Sequence, residues 1–86
     1  MAVLNVAVVS VDQNIWSGEA KSLIAKTTEG EIGILADHEP VLSLLVDGEV
    51  RLEDTTGQKV QIAISGGFLA VDHNDVRVLA EDAQVL

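Results

Sequence analysis

The run Lys59-Val60-Gln61-Ile62-Ala63-Ile64-Ser65 is followed by Gly66-Gly67, then by Phe68-Leu69-Ala70-Val71, and, past Asp72, by His73-Asn74-Asp75 and Val76-Arg77-Val78-Leu79-Ala80. Three short stretches rich in branched aliphatic residues are thus separated by two clusters of turn formers, the pattern of antiparallel strands joined by tight hairpins. The same grammar extends toward the amino terminus. Leu4, Val6 and Val8 can share one face while Asn5 and Ala7 take the other, with a turn at Asp12-Gln13-Asn14. Further candidate strands are Ile15 to Ser17, Lys21 to Thr27, Glu31 to Leu35, Val41 to Leu45 and Glu49 to Glu53, with turn signals at Ser17-Gly18, Glu29-Gly30, Asp47-Gly48 and Thr56-Gly57. Turn signals every eight to ten residues predict an all-β fold, a flattened sandwich or barrel of about nine or ten short, mostly antiparallel strands. One segment, Glu39 to Val46, is also compatible with a short helix, because Pro40 suits a first helical position.

Composition agrees. The chain of 86 residues has room for one domain, residues 1–86, with no linker. Val and Ile supply 19 positions, and these stiff side chains suit a pleated surface. Hydrophobic residues make up 48% of the chain but aromatics only 2%, so the core must be assembled from aliphatic side chains. Trp16 and Phe68, the only Trp and the only Phe, are expected to plug that core or cover its rim, whereas an exposed Trp would serve as an interface anchor.

The net charge of -9 excludes ordinary nucleic-acid binding, which needs clustered Lys and Arg, and it disfavours anionic lipid surfaces. A partner should present basic groups. With no cysteine there is neither a disulfide framework nor a thiolate metal site. Met1 to Val11 lacks a basic leader region, and no apolar run approaches a membrane span, so the chain is expected to be soluble and unprocessed.

Four blocks carry a family resemblance: Thr28-Glu29-Gly30-Glu31-Ile32-Gly33-Ile34-Leu35 with His38, Pro40, Val41 and Leu42; Trp16-Ser17-Gly18; Ile64-Ser65-Gly66-Gly67-Phe68-Leu69; and Val76-Arg77-Val78-Leu79-Ala80-Glu81. In this order and spacing they resemble the amino-terminal β-sandwich of the epsilon subunit of F-type ATP synthases. Two departures stand out. Ala36-Asp37-His38 replaces the family's usual Pro-Gly-His, removing a rigid residue and a permissive glycine. Members commonly continue into two antiparallel helices, whereas this sequence stops at Gln84-Val85-Leu86.

The resemblance implies a non-catalytic central-stalk subunit of a proton- or sodium-translocating enzyme, joining the ring of c subunits to the gamma shaft, peripheral to the cytoplasmic face of a bacterial cell membrane. It implies contact with the polar loops of the c-ring through Glu29, Gly30, Glu31 and Asp37, and with gamma through His38, Glu39, Val41 and Leu42. On the residues alone, Glu29, Glu31, Asp37 and Glu39 are expected at one end as a solvated turn; the resemblance implies a patch there for basic loops, each exposed pair contributing about 0.2–1 kcal/mol.

No catalytic residue, cofactor or metal site is expected. Asp37-His38-Glu39 does not converge on one ligand, since adjacent residues of an extended chain point to opposite faces, and His73 sits in a turn signal. Ser65-Gly66-Gly67 lacks the frame of a nucleophile elbow or phosphate loop and reads as a bulge or a close approach of strands. The alternative function is a free-standing sandwich that binds a ligand or peptide on a sheet edge or face. Its weakness is the lack of aromatic platforms beyond Trp16. A small hydrolase using one of five serines with His38 or His73 has no motif to frame it.

Overall fold

A computed structural model describes residues 2–86. The strands are β1 (Leu4–Val9), β2 (Asn14–Thr27), β3 (Gly30–Leu35), β4 (Val41–Leu44), β5 (Gly48–Asp54), β6 (Lys59–Ser65), β7 (Phe68–Asp72), β8 (Asp75–Leu79) and β9 (Asp82–Val85). The fold is all-β, as expected, and every strand pairing is antiparallel except that of β1 with β8.

The long strand β2 organises the two layers. Ala20 pairs with Leu4 of β1 on one side and with Asp54 of β5 on the other, while Ser22 to Ile24 pair with both β3 and β5. Strands β1 and β3 therefore follow one another along the same edge of β2. The first half of β2 completes the layer β4-β7-β8-β1-β2, and its second half lies in the layer β3-β2-β5-β6-β9. Fully extended, its 14 residues would span about 43 Å, well beyond the 32 Å longest dimension of the molecule. The strand bends where its register with β5 shifts, between Ala20 and Ser22. The extra residue also switches parity: Leu23, Ala25 and Thr27 point inward after the bulge, and Ala20 before it.

The core is aliphatic. Leu4, Leu23, Ile34, Ile62, Leu69, Val8, Val50, Val76 and Val78 are its largest fully buried side chains, drawn from both layers. Leu4, Val6 and Val8 do share the inner face of β1, with Asn5 exposed and Ala7 half-buried on the other side. Burying each such side chain contributes about 1.5–3 kcal/mol, and without an aromatic among them the core depends on many close contacts.

Several expectations are corrected. Ile15–Ser17 and Lys21–Thr27 form one strand, and Ser17-Gly18 is not a turn. Gly18 is there because Trp16, two residues earlier on the same face, folds over it; a Cβ at residue 18 would sit 3.2 Å from the indole. Trp16 packs half-buried against the core as a rim residue, but Phe68 is 44% exposed and plugs nothing. Strand β9 is not among the expected strands, because Asp82-Ala83-Gln84-Val85 alternates over only four residues with Ala83 and Val85 as its apolar positions; it pairs along β6. Glu39 to Val46 contains β4 instead of a helix, since pairing with β7 satisfies its backbone. The sheet does not close into a barrel, because β4 and β9 lie at opposite ends of the strand order. The close-approach reading of Ser65-Gly66-Gly67 fits: a Cβ on Gly67 would run into the Leu79 carbonyl and lie 2.8 Å from the Ala80 Cα.

Candidate docking surfaces

Glu29, Gly30 and Glu31 occupy the β2–β3 hairpin tip. Thr28 and Glu29 form a two-residue loop between the paired Thr27 and Gly30. Gly30 has φ 117, a conformation that a side chain would strain. Thr27, nearly buried, locks the loop: its hydroxyl donates to the Gly30 carbonyl at 2.7 Å and accepts from the Glu29 N–H at 3.1 Å. The Glu29 side chain is exposed. Glu31 is less free, lying opposite Lys26 in the ladder and accepting a hydrogen bond from Arg51 Nη2 at 3.0 Å. As a charged patch the tip is therefore thinner than its composition suggests.

Asp37 does not join it. Strand β3 separates Glu31 from Leu35 by about 13 Å, and Asp37 lies beyond, in the connection to β4. There its backbone N–H donates to Asn74 Oδ1 at 2.6 Å, across to the β7–β8 turn. His38 and Glu39 follow at that same far end. The His38 N–H donates to the Leu35 carbonyl at 3.2 Å, and its Nδ1 lies 2.7 Å from the Glu39 carbonyl. Since a carbonyl only accepts, this geometry places the proton on Nδ1. The expected cluster of four carboxylates at one end is thus split, Glu29 and Glu31 at the tip and Asp37 and Glu39 opposite, because the strand between them runs the length of the layer.

Strand β4 returns from the far end toward the tip, where the Thr28 N–H donates to the Leu44 carbonyl at 3.1 Å and the Val46 N–H to the Lys26 carbonyl at 3.1 Å. A groove lies along the open side between β4 and the hairpin, lined by Glu29, Gly30, Glu31, Ile32, Val41 and Leu42. Residues expected to meet two different partners therefore border one cleft. Val41 is half-buried, turned toward the core, while Leu42 is 75% exposed.

A surface that the sequence reading missed lies on the outer face of the β4-β7-β8-β1 layer. Leu44, Phe68, Leu79 and Val9 stand side by side in register across four strands. Leu44 is 59% exposed, Phe68 44% and Leu79 41%. The next row is Leu42, Ala70, Arg77 and Ala7, and the third brings Asp72 and Asp75 beside Asn5. The face thus grades from apolar to acidic, and contiguous exposed apolar rows mark interaction surfaces. All four residues of Phe68-Leu69-Ala70-Val71 are apolar, so no polar alternation in the sequence marks which face of β7 is the core.

Elsewhere the acidic surface is built into turns. Asp54 Oδ1 accepts from the Thr56 hydroxyl at 2.6 Å and from the Thr56 and Gln58 N–H groups at 2.9 Å, closing the β5–β6 hairpin. These bonds, the hydroxyl foremost, lower the Asp54 carboxyl from its ordinary value. His73 Nδ1 lies 2.7 Å from Asp72 Oδ1, with both side chains largely in solvent. Among the described residues no three His, Asp or Glu side chains converge to hold a metal ion.

Comparison with known proteins bears on what these surfaces are for. The family described as ATP synthase, Delta/Epsilon chain, beta-sandwich domain matches residues 3–85. An ATP synthase epsilon chain of Mycobacterium tuberculosis (strain ATCC 25618 / H37Rv) is 52% identical over 85 residues, spanning 98% of this chain and 70% of the relative. One from Micrococcus luteus is 47% identical over 85 residues, spanning 99% and 93%. Among solved structures, a chain of the Euglena gracilis mitochondrial ATP synthase, OSCP/F1/c-ring assembly superposes with a TM-score of 0.93 at 30% identity over 99% of this chain. A chain from the Tetrahymena thermophila mitochondrial ATP synthase central stalk/c-ring superposes with 0.78 at 18% identity over 93%, a likeness of fold alone. This chain spans 54% of the Euglena chain and 64% of the Tetrahymena one. Matched across nearly its whole length in both sequence and fold, the chain belongs to the ATP synthase delta/epsilon chain β-sandwich family.

Proposed function

We propose that the chain, 1–86 acting as one domain, is the rotor-side sandwich of an F-type ATP synthase, joining the gamma shaft to the ring of c subunits on the cytoplasmic face of a bacterial membrane. The epsilon chain is a non-catalytic subunit of that enzyme. Coupling through it is mechanical, and a close-packed two-layer core suits the task because it deforms little under load. The observation that carries the reading is the apolar row Leu44, Phe68, Leu79 and Val9, with Leu42 beside it, left open on a domain of net charge -9. Such a row is what a lasting, largely desolvated contact with gamma requires. His38 and Glu39 extend that contact at the far end.

The polar tip, Glu29 to Glu31, meets the c-ring loops, and its charge contributes to orientation and on-rate more than to affinity. Asp37 belongs with the far-end loop and not with this contact, because Asn74 holds it there.

The test is co-purification of the tagged chain with gamma and with detergent-solubilised c-ring at low and moderate salt. Stoichiometric gamma binding is expected, weakened at least about tenfold by Leu42→Asp. Association with the ring is expected to weaken with salt, and further with Glu31→Lys. A clean failure with both partners would refute the rotor reading and favour a free-standing binding module.

A further inference from the structure

Among the described residues, three other than glycine adopt left-handed φ values, and all sit at one end of the sandwich: Asp37 (φ 67), His73 (φ 50) and Asn74 (φ 66). Asn tolerates this region through its short polar side chain, so the β7–β8 turn by itself explains the conformation of Asn74. It does not explain where the side chain goes. Asn74 Oδ1 accepts the N–H of Asp37, 37 residues away in sequence, at 2.6 Å, and its Nδ2 lies 3.5 Å from Asp37 Oδ1. At the same time the Asn74 carbonyl accepts the N–H of Asn5 at 2.8 Å.

One residue therefore ties the loop that follows β3, in one layer, to β1 and the β7–β8 turn in the other. The tie falls where the loop would otherwise be weakest. Position 37 carries a side chain in a conformation that favours glycine, and the loop, residues 36–40, has few other anchors, the bond from the His38 N–H to the Leu35 carbonyl being one. The bond to Asn74 offsets that local cost and fixes the direction in which His38 and Glu39 leave the turn.

We propose that Asn74 is a positioning residue for docking, holding the Asp37 turn so that His38 and Glu39 are presented to gamma in one arrangement. This rests on the gamma-docking reading above. A loop released from the clamp would populate the competent arrangement only part of the time, and the apparent affinity would fall by that fraction.

Two variants separate the amide from the turn. Asn74→Gly keeps free access to positive φ but removes the acceptor, and Asn74→Asp keeps an acceptor in a residue that also tolerates the region. The readouts are the affinity of the chain for isolated gamma, the hydrogen-exchange rate of the Asp37 amide and the urea midpoint. Asn74→Gly is expected to speed exchange at Asp37 and to weaken gamma binding about three- to tenfold, the equivalent of one net hydrogen bond. Asn74→Asp, read together with Asp37→Asn so that no second carboxylate faces Asp37 where the amide Nδ2 lay 3.5 Å from its Oδ1, should stay within about twofold of a chain carrying Asp37→Asn alone. Equal gamma affinity for the parent and Asn74→Gly would overturn the proposal, as would equal loss in both variants. A parent chain that fails to bind gamma refutes instead the docking reading on which it rests.

Discussion

Gly67→Ala isolates how much of this fold depends on one close approach of two strands. Gly67 has φ 120, and an added Cβ would meet the backbone of Leu79 and Ala80, atoms that cannot rotate aside as a flexible side chain could. Gly30 offers a matched control, because its φ is 117 but a Cβ there meets nothing within 4 Å. Gly30→Ala should therefore cost only the conformational term, about 1–3 kcal/mol. Gly67→Ala should add an overpacking term of about 1–3 kcal/mol, for a total of about 2–6 kcal/mol. A domain of this size has about 4–13 kcal/mol of stability in all, so Gly67→Ala removes a large share of it. Urea unfolding of both variants measures the difference, as a shift of midpoint at constant slope. If Gly67→Ala were no less stable than Gly30→Ala, within about 0.5 kcal/mol, the steric role assigned to residue 67 would be wrong.

Truncating the fully buried Leu69 to Ala should cost about 2–5 kcal/mol through a cavity the close-packed core cannot fill. Leu42→Ala, at the exposed face two strand positions from Leu44, should stay within about 0.5 kcal/mol in the same assay while weakening gamma binding. Acid sensitivity should have a local component at Asp54. Its carboxyl is lowered in the folded state, so the hairpin bonds stabilise the fold above the ordinary Asp pKa and are lost as pH falls through the depressed one. Thr56→Val, which removes the foremost of those bonds, should bring the Asp54 pKa back up toward its ordinary value in carboxyl NMR titration; an unchanged value would count against the hydroxyl as the main cause. Arg51→Gln should release Glu31 and make c-ring association more salt-dependent, with little effect on the urea midpoint because the pair is exposed.

Local chemistry made much of the fold legible. Alternation in Leu4 to Val8 marked an inner face, glycine and short polar residues marked the hairpin tips, and the order of four sequence blocks carried the family. The first two of those signals lie within a few residues of chain, where steric preference and turn geometry act directly. What remained hidden depends on registration between distant residues. A strand period does not state which phase faces the core, so a plug or a rim cover is expected of Phe68 where the structure gives the inner place to Leu69. It also cannot foresee a bulge, and Lys21 in β2 shifts the phase midway, turning two expected strands into one that serves both layers. The candidate site shows the same division. Glu29 and Glu31 were legible at a hairpin tip, but Asp37 and Glu39 were separated from them by the length of β3, and Asn74 reaches Asp37 only because β7 and β8 fold back beside the end of the other layer. Sequence alone determined the all-β class, most of the strands and hairpin turns, and the family; the tertiary structure decided which side chains face a partner, because face and distance are set by long-range pairing and not by neighbours along the chain.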